Sequence, residues 1–150
     1  MAIQWNPNNA AMKICIDHIS GSSYSGRIFS RRLKSPMFFS DPASLILQTE
    51  DLMEQQNFPQ AFQRIRRFRA QARKIECAAE TLEEAMEEET VKAAKGEKAT
   101  FLLYVLTRRN SSWQGRVDFL DGSPSVRYVS ALDLIRLVEE HLDEEAQKEE

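Results

Sequence analysis

The chain has 150 residues, of which 42% are hydrophobic and 29% charged, and its formal net charge at pH 7 is −3. This length gives a single domain with a sizeable core, and the composition is ordinary for a globular protein. The weakly negative total gives no general attraction to nucleic acid or anionic lipid, and no apolar run approaches the length that spans a bilayer.

The two cysteines and the first eleven residues indicate the cellular compartment of the protein. Cys15 and Cys77 form no CxxC pair, so they indicate neither a disulfide framework nor a metal site. We expect both to be small buried residues in a reducing compartment. Residues 1–11 are polar and lack the basic and apolar regions of a signal peptide. These features predict a cytoplasmic protein with no cofactor, no metal and no membrane partner.

The first part of the chain is predicted to form three strands and a helix. Met12, Ile14 and Ile16 alternate with more polar residues, which is typical of a half-buried strand. Asp41 followed by Pro42 is a typical helix start. The elements predicted after the first strand are a second strand over 26–32, a third strand over 37–39 and a helix that ends near 57.

The last part of the chain repeats this order. Asp121-Gly122 is a hairpin signal between two of its strands, and Ser130 is placed to cap the last helix. Apolar residues on one face of that helix recur at helical spacing. The predicted strands cover 101–106, 115–120 and 126–129, and the apolar helix positions are Ala131, Leu134, Ile135, Val138 and Leu142.

A sequence repeat supports this parallel. Ser22 to Ile28, SSYSGRI, returns as Ser111 to Val117, SSWQGRV, and the same offset aligns Glu50 with Glu139. Leu45-Ile46 likewise aligns with Leu134-Ile135. Internal repeats indicate duplicated structural units. We therefore predict an α+β domain with β-β-β-α units over about 12–57 and 99–143, an antiparallel sheet and both helices on one face.

The segment between the repeats, about 60–95, is rich in Ala, Arg, Glu and Gln, which favours a long helix. Its apolar residues recur in steps of four and three, the pattern of a coiled-coil seam. The seam positions are Ala61, Ile65, Phe68, Ala72, Ile75, Ala79, Leu82 and Met86.

Charge is segregated along this predicted helix. The first half holds bases, among them Arg66, Arg69 and Arg73, and the second half holds seven glutamates. This order opposes the helix dipole, which favours acids first. An antiparallel copy would place basic half against acidic half, giving a two-fold homodimer. We predict a non-enzymatic interaction or scaffolding module whose partner-binding residues are Ile65, Phe68, Ile75, Leu82, Met86, Arg66, Arg69 and Arg73.

The alternative prediction is a nucleotide or nucleic-acid binder. The basic half of the segment offers phosphate contacts, and Phe68 offers a stacking face. The repeated turns offer a second set of ligand-binding residues, namely Tyr24 and Trp113 for stacking and Arg27 and Arg116 for phosphate or carboxylate. The other interpretation of these turns is structural, with polar turn residues, a required glycine and an aromatic that covers the sheet end.

Two resemblances to known proteins rest on the second repeat. Asn110 to Gly115, NSSWQG, resembles the second signature of PilZ domains, which implies cyclic di-GMP as a ligand. Arg69 and Arg73 match the family's Arg-x-x-x-Arg element but fall within the predicted helix. Trp113-Gln114-Gly115 before the Leu-rich last helix also resembles a motif of small bacterial proteins of unknown function, and that resemblance implies no activity.

Enzymatic chemistry has little support in the sequence. The chain has two histidines, His18 and His141, and neither falls in a nucleophile, zinc-protease or phosphate-loop motif. His141 lies among acids on the last predicted helix, where we expect a surface residue.

Overall fold

The computed structural model describes residues 3–61 and 73–148. Within these residues the protein is α+β, with a six-stranded antiparallel sheet in the order β3-β2-β1-β4-β5-β6 and three helices. The elements in chain order are β1 Met12–Ser20, β2 Ser23–Phe29, β3 Met37–Phe39, α1 Pro42–Gln56, α2 Glu88–Ala93, β4 Ala99–Thr107, β5 Gln114–Asp118, β6 Val126–Tyr128 and α3 Ala131–Lys148. None of these three helices combines the length and apolar character needed to cross a bilayer.

The two faces of the sheet differ in what covers them. Ile14 and Phe101 oppose each other across β1 and β4, and both are buried. On this side α1 and α3 meet, because Leu45-Ile46 of α1 and Leu134-Ile135 of α3 line one small cavity against Phe101. We call this the inner face. The alternation of side chains along a strand places Lys13, Arg27, Tyr104 and Arg116 on the opposite, outer face.

The two halves of the sheet have matching registers. Gly26 lies between Ile16 and Phe39 of the neighbouring strands, and Gly115 lies between Val105 and Tyr128. A Cβ at Gly26 would stand 1.8 Å from the carbonyl oxygen of Cys15, and one at Gly115 would stand 1.9 Å from that of Tyr104. Both positions therefore require glycine because the neighbouring backbone leaves no room for a side chain. Each half also has a β-bulge beside its glycine, at Asp17 and at Leu106.

Local hydrogen bonds fix where the two long helices begin. Asp41 accepts the amide of Ser44 at 2.6 Å, and the Ser44 hydroxyl accepts the amide of Asp41, which forms a capping box at α1. The Ser130 hydroxyl accepts the amide of Asp133 at 3.0 Å at the start of α3. The predicted caps at these two helices are confirmed.

The predicted long helix over 60–95 is not confirmed. Residues 62–72 lie outside the described residues, residues 73–87 form turns and irregular backbone, and α2 is the helical part that the structure describes. The backbone of 77–86 instead bonds to the loop after β2: Lys34 donates to the Cys77 carbonyl at 2.6 Å, and the amide of Met86 donates to Leu33 at 2.8 Å. These tertiary bonds override helix propensity, because a helical backbone would use the same groups internally.

The seam of that helix is correspondingly dispersed. Ala79 and Met86 are buried in the single chain, and Ile75 packs against its core. Leu82 is exposed, and so is Arg73. The remaining predicted partner-binding residues, Ile65, Phe68, Arg66 and Arg69, lie outside the described residues. Within the described part, the predicted coiled-coil contact is therefore replaced by packing inside one chain.

Candidate functional site

The predicted ligand-binding residues are divided between the two faces. Tyr24 and Trp113 are buried, with 3% and 2% of their surfaces exposed. The Tyr24 ring meets Phe39 edge to face, and burial raises the pKa of Tyr24 to about 12. The indole of Trp113 donates to the Glu50 carboxylate. Neither ring therefore offers a free stacking face. Arg27 and Arg116 lie on the outer face, so the structure does not bring the four predicted ligand-binding residues into one site.

On the outer face, Arg27 is neutralised within the chain. Its guanidinium donates to both oxygens of Asp17, at 2.8 and 3.0 Å, and to the Lys95 carbonyl at 2.9 Å. The bond from Arg27 lowers the pKa of Asp17, and the amide of Glu97 also donates to that carboxylate. This fork-to-fork geometry makes Arg27 a structural anchor rather than a free anion ligand.

Arg116 occupies the matching position of the other half and has a different environment. The bulge residue beside it is Leu106 where the first half has Asp17. The Arg116 guanidinium lies 4.0 Å from the centre of the Tyr104 ring, and Arg127 stands directly opposite Arg116 across β5 and β6. Like charges placed directly opposite destabilise a sheet. We call Tyr104, Arg116 and Arg127 the arginine row.

The arginine row carries positive charge that the described residues leave uncompensated. Neither guanidinium pairs with a carboxylate in residues 3–61 and 73–148. Asp118 lies on the same face, and its carboxylate accepts the amide of Leu120 at 2.9 Å. Arg127 and Leu106 are exposed, the latter by 41%. Together with Leu106, the row thus forms a patch of two cations, an aromatic ring and an aliphatic side chain.

The end of residues 73–98, which we call the crossing segment, covers part of the outer face of the first half. The Lys13 amine donates to the Lys92 carbonyl at 2.6 Å, and a Cβ at Gly96 would meet the backbone of Ile16. Lys13 and Cys15 are consequently buried. Their partners on β4, Leu102 and Thr100, are half-buried. Among the described residues, the outer face is therefore most fully covered at Lys13 and Cys15 of β1, whereas its residues on β4 and β5 are half-buried.

The crossing segment is acidic where it passes the loop after β2. Residues 80–89, which we call the acidic stretch, include six exposed glutamates and no base. Met86 within it anchors the segment, because its carbonyl accepts from Arg31 at 3.1 Å while its side chain is buried. The exposed glutamates are Glu80, Glu83, Glu84, Glu87, Glu88 and Glu89.

The segment that resembles a PilZ signature is a turn held by its own side chains. The Gln114 amide group accepts from the Arg109 amide at 2.8 Å and donates to the Arg109 carbonyl at 2.9 Å. Ser112 accepts the amide of Ala131 at the start of α3. Asn110 and Ser111 both have positive φ. These bonds give the motif a structural role in joining β4, β5 and α3.

A further cluster was not predicted from the sequence. Asp121, His141 and Glu145 present ligand atoms that all lie within 4.8 Å of one another. His141 and Glu145 are one helical turn apart, which is a usable sequence signal. Asp121 comes from the turn before β6, so only the fold brings it to the helix.

Neither a family model, nor a curated protein, nor a solved structure matches this chain.

Proposed function

We propose that this chain is a non-enzymatic protein-interaction module that self-associates through the outer face of its sheet. The observation that carries the proposal is the opposite charge of the acidic stretch and of the arginine row. The acidic stretch lies beside the loop after β2, in the segment whose end covers part of β1 and β2, and the arginine row stands on β4 to β6. A surface with both charges is complementary to a second copy of itself.

A two-fold axis lying in the interface gives both contacts at once. It places the crossing segment of one copy over the accessible strands of the other, and the reverse. The crossing segment of each copy then lies beside the crossing segment of its partner and packs on the partner's β4 to β6. The acidic stretch of each copy then meets the arginine row of the other. The same surface is used by both copies, so the interface is isologous and closes as a dimer.

The side chains of the accessible half suit a protein surface. Arginine and aromatic residues are enriched at interface centres, where Lys and Glu are depleted. Tyr104 and Arg116 already hold each other in a fixed stack, which lowers the entropy lost on binding. Leu106 and Leu102 supply apolar area on either side of the row. This contact takes the place of the predicted helical seam, whose residues Ala79 and Met86 are used inside the chain.

Light scattering on a sizing column tests the proposal. The wild-type chain is expected to elute as a dimer that weakens at high salt, because salt screens exposed charge pairs. The variant R116E/R127E is expected to elute as a monomer. The variant R136E is the control, since Arg136 is exposed on α3 on the other side of the sheet. A wild-type monomer at the highest soluble concentration, or a dimer that survives R116E/R127E, overturns the proposal.

We also propose that the two halves, about 12–57 and 99–143, are copies of one β-β-β-α unit. The repeated sequence, the matching positions of Gly26 and Gly115 and the bulges at Asp17 and Leu106 support it. The cytoplasm is the compartment that we propose, and the free cysteines Cys15 and Cys77 support a reducing environment.

A nucleic-acid binder is the second candidate function, and the arginine row favours it. Arginine and aromatic side chains on an accessible sheet face bind single strands through phosphate contacts and base stacking. Fluorescence anisotropy with a single-stranded oligonucleotide tests this candidate. Binding that falls with salt and is lost in R116E/R127E but not in R136E supports it, and no binding at low salt rejects it.

A further inference from the structure

We propose that Asp121, His141 and Glu145 form a binding site for a divalent transition metal, with Zn²⁺ as the best match. The three side chains converge from two elements, the turn between β5 and β6 and the second half of α3. Their ligand atoms lie within 4.8 Å of one another. Ligands around Zn²⁺ stand ~2.1 Å from the ion and so ~3.4 Å apart. Small rotations of the two carboxylate side chains close that difference.

The imidazole of His141 is held in place by ring stacking. Its centre lies 4.0 Å from that of Phe119, and the two ring planes differ by 10°. Phe119 is itself buried and packs on Phe101 with ring centres 5.9 Å apart. The ring plane is therefore fixed by the core. A rigid nitrogen ligand lowers the entropy lost when a metal binds.

The carboxylate of Asp121 is also held in place. The amide of Ser123 donates to it at 3.0 Å, and the Ser123 hydroxyl donates to the same oxygen. These two bonds orient the carboxylate of Asp121 within its turn. An ionised carboxylate with one oxygen engaged by a second residue is typical of metal sites, where such bonds orient the ligand.

The ligand set selects the metal. One imidazole and two carboxylates suit Zn²⁺ and its neighbours, whereas Mg²⁺ and Ca²⁺ prefer oxygen ligands alone. Three protein ligands leave at least one coordination position to water. A cleft of about 270 Å³ adjoins the cluster and gives solvent access to that position.

The positive charge of nearby lysines limits the affinity of the site for a metal ion. Lys95 and Lys98 line the same cleft, and the Lys13 amine there is engaged by the Lys92 carbonyl. The Lys148 amine lies 3.4 Å from Glu145, so a metal ion would displace this exposed pair. Exposed pairs contribute little to stability. The competing charges therefore reduce metal affinity without removing it.

Isothermal titration calorimetry of the untagged chain with Zn²⁺ tests the proposal. The wild type is expected to bind one ion and to gain thermal stability as the free metal concentration rises. The variants D121N and H141F are expected to weaken binding at least about tenfold. H141F keeps a ring against Phe119 while removing both nitrogens, so its fold is expected to survive.

The matched control is H18A, because His18 is the other histidine of the chain and lies on the exposed end of β1. H18A is expected to bind Zn²⁺ as the wild type does. The proposal is overturned if the wild type does not bind, or if D121N and H141F bind with unchanged affinity. In the second case, loss of binding in C77S would assign the metal to the cysteine instead.

Discussion

Trp113 of the second half donates its indole N–H to Glu50 of the first half, and this bond ties the two units together. The corresponding pair in the other direction is Tyr24 of the first half and Glu139 of the second. Burial raises the pKa of Tyr24, and the nearby charge of Glu139 raises it further. Each aromatic of the repeated turn thus reaches the helix of the other half. The two halves correspond in these contacts of the inner face and differ on the outer face.

Neutralising Glu50 is expected to destabilise the fold. Glu50 and Glu54 both bind the buried guanidinium of Arg108, at 3.1 and 2.8 Å. We expect E50Q to lower the free energy of unfolding by about 2 kcal/mol, since it weakens charge-assisted bonds to a buried cation. Urea unfolding followed by tryptophan fluorescence measures the change. The control E140Q alters an exposed glutamate of α3, and an equal effect of both variants would refute this role.

Alanine at either sheet glycine is expected to prevent correct folding. Gly26 faces the carbonyl oxygen of Cys15, and Gly115 faces that of Tyr104, at distances that no Cβ tolerates. Circular dichroism of G26A and G115A is expected to show loss of cooperative unfolding. G21A is the comparison, because Gly21 has open space and only a positive φ, which costs about 1 kcal/mol. Wild-type stability in G26A or G115A would contradict the pairing of β2 with β1 or of β5 with β4.

The Asp17–Arg27 pair is expected to make stability depend on acid. The pKa of Asp17 is lowered in the folded protein, so its contribution is fully present above the ordinary value of 3.8. That contribution is lost as the pH falls through the lowered value. D17N is expected to cost about 1–2 kcal/mol at neutral pH and to flatten the acid decline. Urea unfolding between neutral pH and pH ~2 gives both quantities, with D143N on the exposed part of α3 as control. An acid decline in D17N as steep as in the wild type would exclude the pair as its source.

Arg32 is a buried cation held by neutral oxygens. It donates to the carbonyls of Ala10 and Phe58, both at 2.9 Å, and to the Gln56 side chain at 3.1 Å. Burial lowers the pKa of Arg32 to about 9, so it is still charged at neutral pH. R32K is expected to cost about 2–4 kcal/mol, because lysine cannot span three acceptors in a fixed fork. Thermal unfolding compares it with R31K, in which lysine can keep the single bond to the Met86 carbonyl. Equal stability of the two variants would contradict the prediction.

Local patterns in the sequence were sufficient for the strands and for the long helices, but not for the joining of all six strands in one sheet. Alternation at Met12, Ile14 and Ile16 marks the inner side of β1, and Ser130 marks the start of α3, because strand periodicity and caps depend on near neighbours. The crossing segment could not be predicted in this way. Its composition favours a helix, but the bonds of Cys77 and Met86 to residues 33 and 34 join parts distant in sequence.

The candidate sites, too, could be predicted only where they depend on local sequence patterns. The repeat identified Arg27 and Arg116 as equivalent, and the structure places them at matching sheet positions. Arg27 has a carboxylate partner and Arg116 does not, because the bulge residue is Asp17 in one half and Leu106 in the other. This difference can be recognised only when the pairing of the strands is known. Asp121 and His141 meet because α3 returns along the sheet to the turn before β6. A pairwise contact of that kind leaves no periodic signal in the sequence.

A mixing experiment tests the central claim of self-association most directly. The first variant is R116E/R127E, and the second is E87K/E88K/E89K. Each alone places like charges together at both contacts of the two-fold dimer and is expected to be monomeric by light scattering. Mixed in equal amounts, they pair opposite charges at both contacts, and we expect a salt-sensitive heterodimer. Monomers in the mixture, or dimers of either variant alone, would contradict the account.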